Sequence, residues 1–413
     1  MSNELKPLHF DADYTMEEAL AEAKRCLNCP RPLCQMGCPI ENEIPRFIQA
    51  IAHGNFGLAN DILAERTNLP AICGRVCPRE NQCEGNCIMN KAKKPPINIG
   101  KLERFAADFE SINELRKPKK IQQNLGNVAV VGSGPAGLSV AGDMAKLGYK
   151  VTVFEGQSEP GGVLLFGIPE FRLSKSVVRR EIARLEGLGV KFVCNIFIGQ
   201  DKTLDDLFAE GFDSIFIGTG THIPQEVRME NDEVHGVFQA MYLLTNVQLV
   251  ENGDLDESLI PVRKGDRVVI IGGGNVAMDA ARTCVRLGCE SVTVAYRRSQ
   301  EQMPALLSEY EEARAEGVQF QWFASPVAVE GKDKVEGFKY EVMALNEDGA
   351  GIHGTGNYQV MPVDKIIIAA GHKPNARLIG EGNNLKVDEK GYIITSEDPY
   401  GMTNRKGVFA GGD

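Results

Sequence analysis

The chain predicts an N-terminal all-α iron–sulfur domain followed by two α/β Rossmann-like nucleotide-binding domains, and three features of its 413 residues carry that expectation. Eight of the eleven cysteines crowd into the first 87 residues, in two bunches. An apolar strand, a glycine turn and a helix follow one another from Asn127, and the same order returns from Arg267. Between these blocks, SINELRKPKKIQQN at 111–124 reads as a polar linker.

Residues up to about 110 read as short helices between cysteine loops. Thr15 and Glu18 fit a capping box for a helix through MEEALAEAKR, which delivers Cys26 and Cys29 at its end. EIPRFIQAIAHG and NFGLANDILAERT repeat apolar residues at helical spacing and predict a helical pair between the two bunches. The first bunch is Cys26-x2-Cys29-x4-Cys34-x3-Cys38, followed by Pro39. The second is Cys73-x3-Cys77-x5-Cys83-x3-Cys87, with Pro78 after Cys77.

Disulfides, zinc and iron–sulfur clusters compete for such cysteines. Disulfides need an oxidising compartment, and MSNELKPLHFDADY has no basic stretch followed by an apolar one. Zinc modules carry paired ligands at short spacing, often with histidine, whereas the nearest histidines here are His9 and His53. The C-x2-C-x4-C-x3-C-P run lies close to the ferredoxin pattern, in which the proline-flanked Cys ligates the other cluster. Two 4Fe–4S clusters are the natural count.

Composition fits a large enzyme without a membrane span or a nucleic-acid partner. Hydrophobic residues make up 43% of the chain, and no uncharged apolar run approaches the roughly 18 residues needed to cross a bilayer. A net charge of −11 and a pI near 5.3 disfavour nucleic acid, and the basic RKPKK at 116–120 reads as solvated linker. Cytoplasmic localisation is expected.

NVAVVGSGPAGLSVAGDMAKLGYKVTVFEG reads as a complete β-α-β unit with the loop Gly132-Ser133-Gly134-Pro135-Ala136-Gly137. The glycines allow a tight turn and let backbone N–H groups approach a pyrophosphate at a helix N-terminus. Glu155, at the end of the second strand, is placed to accept hydrogen bonds from an adenosine ribose. The second unit carries Gly272-Gly273-Gly274-Asn275-Val276-Ala277, with Tyr296, Arg297 and Arg298 where the first has its acid. Paired arginines bind a 2′-phosphate that a carboxylate would repel, so this unit reads as an NADPH site.

A flavin in the first unit follows from the end of the chain. Gly407-Val408-Phe409-Ala410-Gly411-Gly412-Asp413 resembles the second FAD motif of two-dinucleotide flavoproteins, whose aspartate binds the ribityl–pyrophosphate region. Asp213–Gly220 and Lys365–Gly371, ending in Gly220 and Gly371, resemble the strands that carry such chains between FAD and NADPH domains. The helix expected after Asp413 is missing from the sequence, so the reading is of a C-terminally truncated chain.

From about residue 15 to 413 the chain resembles the small (β) subunit family of NADPH-dependent glutamate synthase. The N-terminal part of dihydropyrimidine dehydrogenase and the large subunit of the bifurcating NADH-dependent ferredoxin:NADP oxidoreductase share the arrangement. The motifs are CLNCPRPLCQMGCP, CGRVCPRENQCEGNC, PINIGKLERFAAD, GSGPAGL, PGGVLLFGIPEFRL, GGGNVAMDAART, AYRRSQEQMPA and GVFAGGD. The resemblance implies interleaved clusters, one on Cys26, Cys29, Cys34 and Cys87, the other on Cys38, Cys77, Cys83 and an oxygen of Glu103. Cys73 remains the alternative eighth ligand. Gly161-Gly162-Val163-Leu164 and Gly167-Ile168-Pro169 resemble the family's flavin-flanking loop. The implied domains are 1–120 for two 4Fe–4S clusters, 121–225 and 369–413 for FAD, and 226–368 for NADPH.

NADPH gives up two electrons as a hydride, clusters accept one at a time, and a flavin joins the two. The chain is therefore expected to be an electron-input subunit for a catalytic partner, first of all a glutamate-synthase large subunit. The bifurcating and pyrimidine-reducing systems are alternatives, and a non-catalytic electron carrier is disfavoured by the intact NADPH unit. A disulfide reductase would need a dithiol beside the flavin. The spare pair Cys284 and Cys289 reads as core thiols of the NADPH unit, and Cys194, in an apolar strand of the FAD-binding part, reads as core as well.

Overall fold

The computed structural model describes residues 14–112, 121–347, 349, 351–374 and 384–412. It divides into two compact units. One contains the described residues up to Leu165, Glu170–Gly220 and the chain from Pro374; the other contains Phe166–Pro169 and Thr221–Lys373.

The first unit opens with helices. α1 (Met16–Lys24) begins in the expected capping box: the Glu18 amide donates to Thr15 Oγ1 at 3.2 Å and the Thr15 amide to Glu18 Oε2 at 2.8 Å. Then come α2 (Leu33–Met36), α3 (Ile44–Ala52), α4 (Phe56–Leu63), α5 (Pro70–Val76), α6 (Ile88–Lys91) and α7 (Ile99–Ile112). Their apolar stripes meet in one core that fully buries Phe47, Ile51, Leu63 and Leu102, each contributing about 1.5–3 kcal/mol by leaving water. Phe56 of α4 locks α7 by ring contacts with Phe105 and Phe109, at 5.2 and 4.7 Å between centroids. Cys83 and Cys87 belong to that same core. The linker expected at 111–124 lies largely outside the described residues, and α7 runs on to Ile112.

The same unit continues with β1 (Asn127–Val131), α8 (Pro135–Leu147), β2 (Lys150–Phe154), α9 (Val163–Phe166, its last residue belonging to the other unit), α10 (Lys175–Gly187), β3 (Lys191–Val193), α11 (Leu204–Ala209) and β4 (Ser214–Ile217). Asp108 of α7 binds Arg75 of α5 at 2.6 Å and Arg180 of α10 at 2.8 Å. Asn68 donates to the Ser139 carbonyl and to Asp143 Oδ1 of α8, at 2.9 and 2.7 Å. The cysteine helices are thus fastened to the first glycine-loop segment by paired charges and the buried Asn68 amide.

The other unit holds β5 (Thr221–Pro224), β6 (Val237–Gln239), α12 (Ala240–Asn252), β7 (Arg267–Ile271), α13 (Asn275–Arg286), β8 (Ser291–Tyr296), α14 (Leu307–Ala315) and β9 (Gln319–Trp322). An antiparallel sheet follows, of β10 (Ala324–Glu330), β11 (Gly337–Leu345) and β12 (Ile352–Pro362), before β13 (Lys365–Ile368) and β14 (His372–Pro374). Strands β6-β13-β7-β8-β9 make a parallel sheet whose central strands, RVVII and KIII, are buried as continuous apolar runs.

The chain then returns to the first unit with β15 (Thr395–Glu397), β16 (Tyr400–Thr403) and β17 (Val408–Ala410). Its sheet runs β15-β16-β17-β4-β1-β2-β3, parallel from β17 to β3.

The segments 213–220 and 365–371 lead to two points where the chain changes unit, Gly220/Thr221 and Lys373/Pro374. Their apolar halves are β4 and β13, central strands paired with β1 and β7. The structure corrects one expectation. Cys194 is not a core thiol: β3 stops at Val193 and the side chain is half-buried. Cys284 is fully buried in α13 as expected, while Cys289, just past the helix, is half-buried.

Candidate cofactor sites

Cys26, Cys29, Cys34 and Cys87 line one cavity, walled otherwise by apolar side chains including Leu33, Ile48, Ile88 and Ile99. Cys26 leaves the end of α1, Cys34 rides on α2, and Cys87 is the residue before α6. Burial pushes the Cys34 thiol up to about 11, with Cys26, Cys87 and Cys29 adding to the shift. Cys26 is raised in the same way, by burial first and then by Cys29 and Cys87. Ligation to a cation would offset the cost of charging these two buried thiols.

Cys83 lies near Cys38 and Glu103, Glu103 near Cys73, and Cys73 against Cys77, and two glycines permit the backbone contacts behind these approaches. A Cβ on Gly37 would lie 2.5 Å from the Asn86 amide and 2.9 Å from the Gln82 carbonyl, so the first bunch sits directly on the second. A Cβ on Gly74 would lie 2.6 Å from the Arg104 nitrogen, so α5 presses on α7 and carries Cys73 and Cys77 towards Glu103. Burial pushes Cys83 up to about 12, helped by the charges of Glu84, Glu103 and Cys38. Glu103 is buried, which raises its carboxyl well above the usual range; Cys73 adds to this and Arg79 opposes it. Cys73 touches the Cys77 thiol and stands 3.7 Å from Thr67 Oγ1. Among the described residues no three His, Cys, Asp or Glu side chains converge as donors to one metal ion, whereas four thiols do ring a cavity. Four thiols without a histidine are a donor set that fits a cubane, whose ligands go to separate irons.

The first glycine loop joins β1 to α8. A Cβ on Gly137 would lie 1.9 Å from the Gly132 carbonyl, so only glycine lets the helix turn back this tightly. Gly134 precedes Pro135 and Ala136 at the helix start, and the space where its Cβ would point is open within 4 Å. Such an open face beside helix N–H groups fits a pyrophosphate. Glu155, just past β2, is buried and accepts from the Ser133 amide at 3.0 Å, from the Ser133 hydroxyl, and from the Gln157 amide at 2.9 Å. Ser133 Oγ in turn accepts from the Gly161 amide at 2.8 Å. Gly162, at φ +53, packs so closely that its Cβ would come 2.8 Å from Gly134 Cα. Gly412 comes as near to the Ala136 methyl, and an open cavity beside it is lined by Thr219, Gly220, Tyr392, Thr395 and Gly411. The structure therefore brings Gly132, Gly134, Gly137, Glu155, Gly161, Gly162 and Gly412 to the first loop, while Gly167-Ile168-Pro169 falls in the other unit and Asp413 lies outside the described residues. Sequence reasoning missed Ser133, Thr219, Tyr392 and Thr395; only Ser133, between two loop glycines, carried a local signal.

The second loop joins β7 to α13 in the same way. A Cβ on Gly272 would lie 2.3 Å from the Ala369 carbonyl, Gly274 faces open space, and Ala277 is fully buried. Val276 follows Asn275, whose Oδ1 accepts from the Leu306 amide at 3.0 Å and so ties the loop to the start of α14. Arg297 and Arg298 extend past β8, next to the loop strand β7, and both are exposed. Neither guanidinium has a hydrogen-bond or ion-pair partner among the described residues. Gly371 follows β13, its carbonyl accepting from Gln225 at 2.9 Å. Gly167-Ile168-Pro169 falls in this unit, while Gly161 and Gly162 belong to the other.

A thiol-lined helical domain ahead of two nucleotide-loop sheets, the first closed by the C-terminal strand, defines an iron–sulfur flavoprotein of the two-dinucleotide class. Residues 6–115 match the model for dihydropyrimidine dehydrogenase domain II, 4Fe-4S cluster, and residues 126–413 match pyridine nucleotide-disulphide oxidoreductase. Glutamate synthase [NADPH] small chain of Halomonas elongata is 38% identical over 97% of this chain and 86% of its own. The Escherichia coli K12 protein of the same name is 36% identical over 96% and 86%. NAD-dependent dihydropyrimidine dehydrogenase subunit PreT of Escherichia coli K12 is 35% identical over 97% and 89%. The chain belongs to the glutamate synthase [NADPH] small chain family. Among solved structures, the Mycobacterium tuberculosis oxidoreductase FprA shares the fold of the nucleotide-binding part. It has a TM-score of 0.59 and 19% identity, covering 70% of this chain and 79% of that one.

Proposed function

We propose that this chain is an electron-input subunit that takes a hydride from NADPH onto FAD and passes single electrons through two 4Fe–4S clusters to a partner. The partner we infer converts glutamine and 2-oxoglutarate to glutamate. The observation that supports this most is the joining, within one compact unit, of a four-thiol cavity and a dinucleotide loop. When bound, the flavin supplies the exchange between hydride and single electrons.

In this reading Cys26, Cys29, Cys34 and Cys87 hold one cluster, and Cys38, Cys77, Cys83 and Glu103 the other. The open face at Gly134 and the α8 N-terminus hold the FAD pyrophosphate, Asp413 contacts the ribityl–pyrophosphate region, and Glu155 accepts from the ribose. Gly274 and the α13 N-terminus hold the NADPH pyrophosphate, while Arg297 and Arg298, exposed and unpaired among the described residues, hold the 2′-phosphate. The domain limits 1–120, 121–225, 226–368 and 369–413 belong to the same reading. So does cytoplasmic localisation, where thiol ligands stay reduced.

The test is co-purification from native cells under anaerobic conditions. A complex that oxidises NADPH only when glutamine and 2-oxoglutarate are both present supports the proposal. The PreT likeness favours a second reading, a pyrimidine-reducing partner. NADPH oxidation driven by uracil or thymine instead would select it.

A further inference from the structure

Asn42 is a buried polar residue that the cofactor assignments leave without a task. It is 3% exposed and sits in the loop between Cys38 and α3. Backbone bonds already hold that loop: the Glu41 amide donates to the Cys38 carbonyl at 2.9 Å, and the Ile44 amide to the Asn42 carbonyl at 2.7 Å. The side chain is free to serve something else. Its Nδ2 donates to Glu103 Oε1 at 3.4 Å, the one hydrogen bond the Glu103 carboxylate receives among the described residues. Its Oδ1 is buried with no hydrogen-bond partner among them. A buried amide left half-satisfied persists where its position is wanted for another reason.

The chemistry is one-directional. An ionised carboxylate only accepts, and an amide NH2 is a neutral donor that does not alter the charge of the site. Ligating carboxylates are commonly oriented by such a hydrogen bond, which also draws electron density from the donor oxygen. Asn42 is carried by the turn that bears Cys38, so one short loop sets both a thiol and the orientation of the carboxylate. Resting on the reading that Glu103 ligates the second cluster, we propose that Asn42 is a positioning residue, whose amide engages one oxygen of Glu103 and leaves the other for iron.

The test uses the full chain, reconstituted anaerobically with iron and sulfide, in four forms: wild type, Asn42→Leu, Glu103→Cys and the double variant. The readouts are iron content, the EPR spectrum of the reduced protein and cluster midpoint potentials. Asn42→Leu should retain FAD and change the spectrum and potential of one cluster, or lose that cluster's iron. A thiolate at 103 needs no orienting amide, so the double variant should match Glu103→Cys alone. An Asn42→Leu protein identical to wild type overturns the inference. A defect that persists undiminished in the double variant also overturns it, since it marks a merely structural role. Should Asn42→Leu fail to fold, Asn42→Ser, smaller and still polar, carries the same comparison. Glu103→Gln separates the two readings: if it leaves iron, spectrum and potentials untouched, the ligand reading itself falls and takes this inference with it.

Discussion

Glu155 and Ser133 are joined twice, the carboxylate accepting from both the backbone amide and the hydroxyl of the loop serine. The acid that closes β2 is thereby held against the turn between β1 and α8, and the same hydroxyl accepts from Gly161. A hydrogen bond to a charged group contributes about 1.5–3 kcal/mol, so Ser133→Ala should weaken FAD binding by roughly 10- to 100-fold. Flavin-fluorescence titration of the deflavinated chain measures this. Unchanged affinity would mean that Ser133 only packs the turn.

The second cluster offers a direct choice between two neighbours. Cys73 and Glu103 are close enough that each thiolate or carboxylate charge disfavours the other. The anaerobically reconstituted chain should hold about eight irons, no tight zinc, and one FAD. Cys73→Ser should keep that iron and its reduced-state EPR spectrum, while Glu103→Ala should alter one cluster's signal. The reverse pattern assigns the ligand to Cys73, and about four irons in the wild type would end the two-cluster reading.

The NADPH preference is tested at Arg297 and Arg298. Two charge-assisted hydrogen-bond donors contribute about 1.5–3 kcal/mol each before solvent screening, which is substantial at exposed side chains. Replacing both with neutral residues should raise KM for NADPH by roughly 10- to 1,000-fold and leave NADH use little changed. Diaphorase assays with a dye acceptor read this on the subunit alone. An unaltered NADPH/NADH ratio would leave the arginines as solvated strand ends.

The metal-free chain should lose stability in mild alkali. Burial raises Cys34 to about 11 and Cys83 to about 12 from an ordinary 9.0. Above pH 9.0 unfolded thiols release protons that the folded ones keep up to those raised values. The folded state then binds more protons, so its advantage, complete below that pH, shrinks through the window up to about 11–12. Urea midpoints of the apo chain should fall between about pH 8 and about pH 10, while the cluster-loaded chain, whose thiolates bind iron, should change less. Equal falls in both forms would locate the effect elsewhere.

Local chemistry was legible wherever neighbours in sequence are neighbours in space. The Thr15–Glu18 cap, the strand–glycine–helix order at 127–147 and 267–286, and the helices around Phe47 and Phe56 all follow from spacings of a few residues. The β10–β12 sheet is not legible in the sequence, because β12 is exposed along almost its whole length and so lacks the apolar alternation of a half-buried strand. SIFI and KIII were visible as strands, yet their apolar runs do not say which strand lies alongside.

The sequence by itself determined the donors and the loops: eight clustered thiols, two glycine turns and an arginine pair in place of an acid. Only the tertiary structure decided their grouping. Cys87 stands with Cys26, Cys29 and Cys34 around one cavity, and Glu103 and Asn42 meet beside Cys38, because helices α5 and α7 touch at Gly74 and the two bunches touch at Gly37. Spacing along a chain limits which residues can reach one another, but which of them share a site depends on backbone surfaces that close only when distant segments pack.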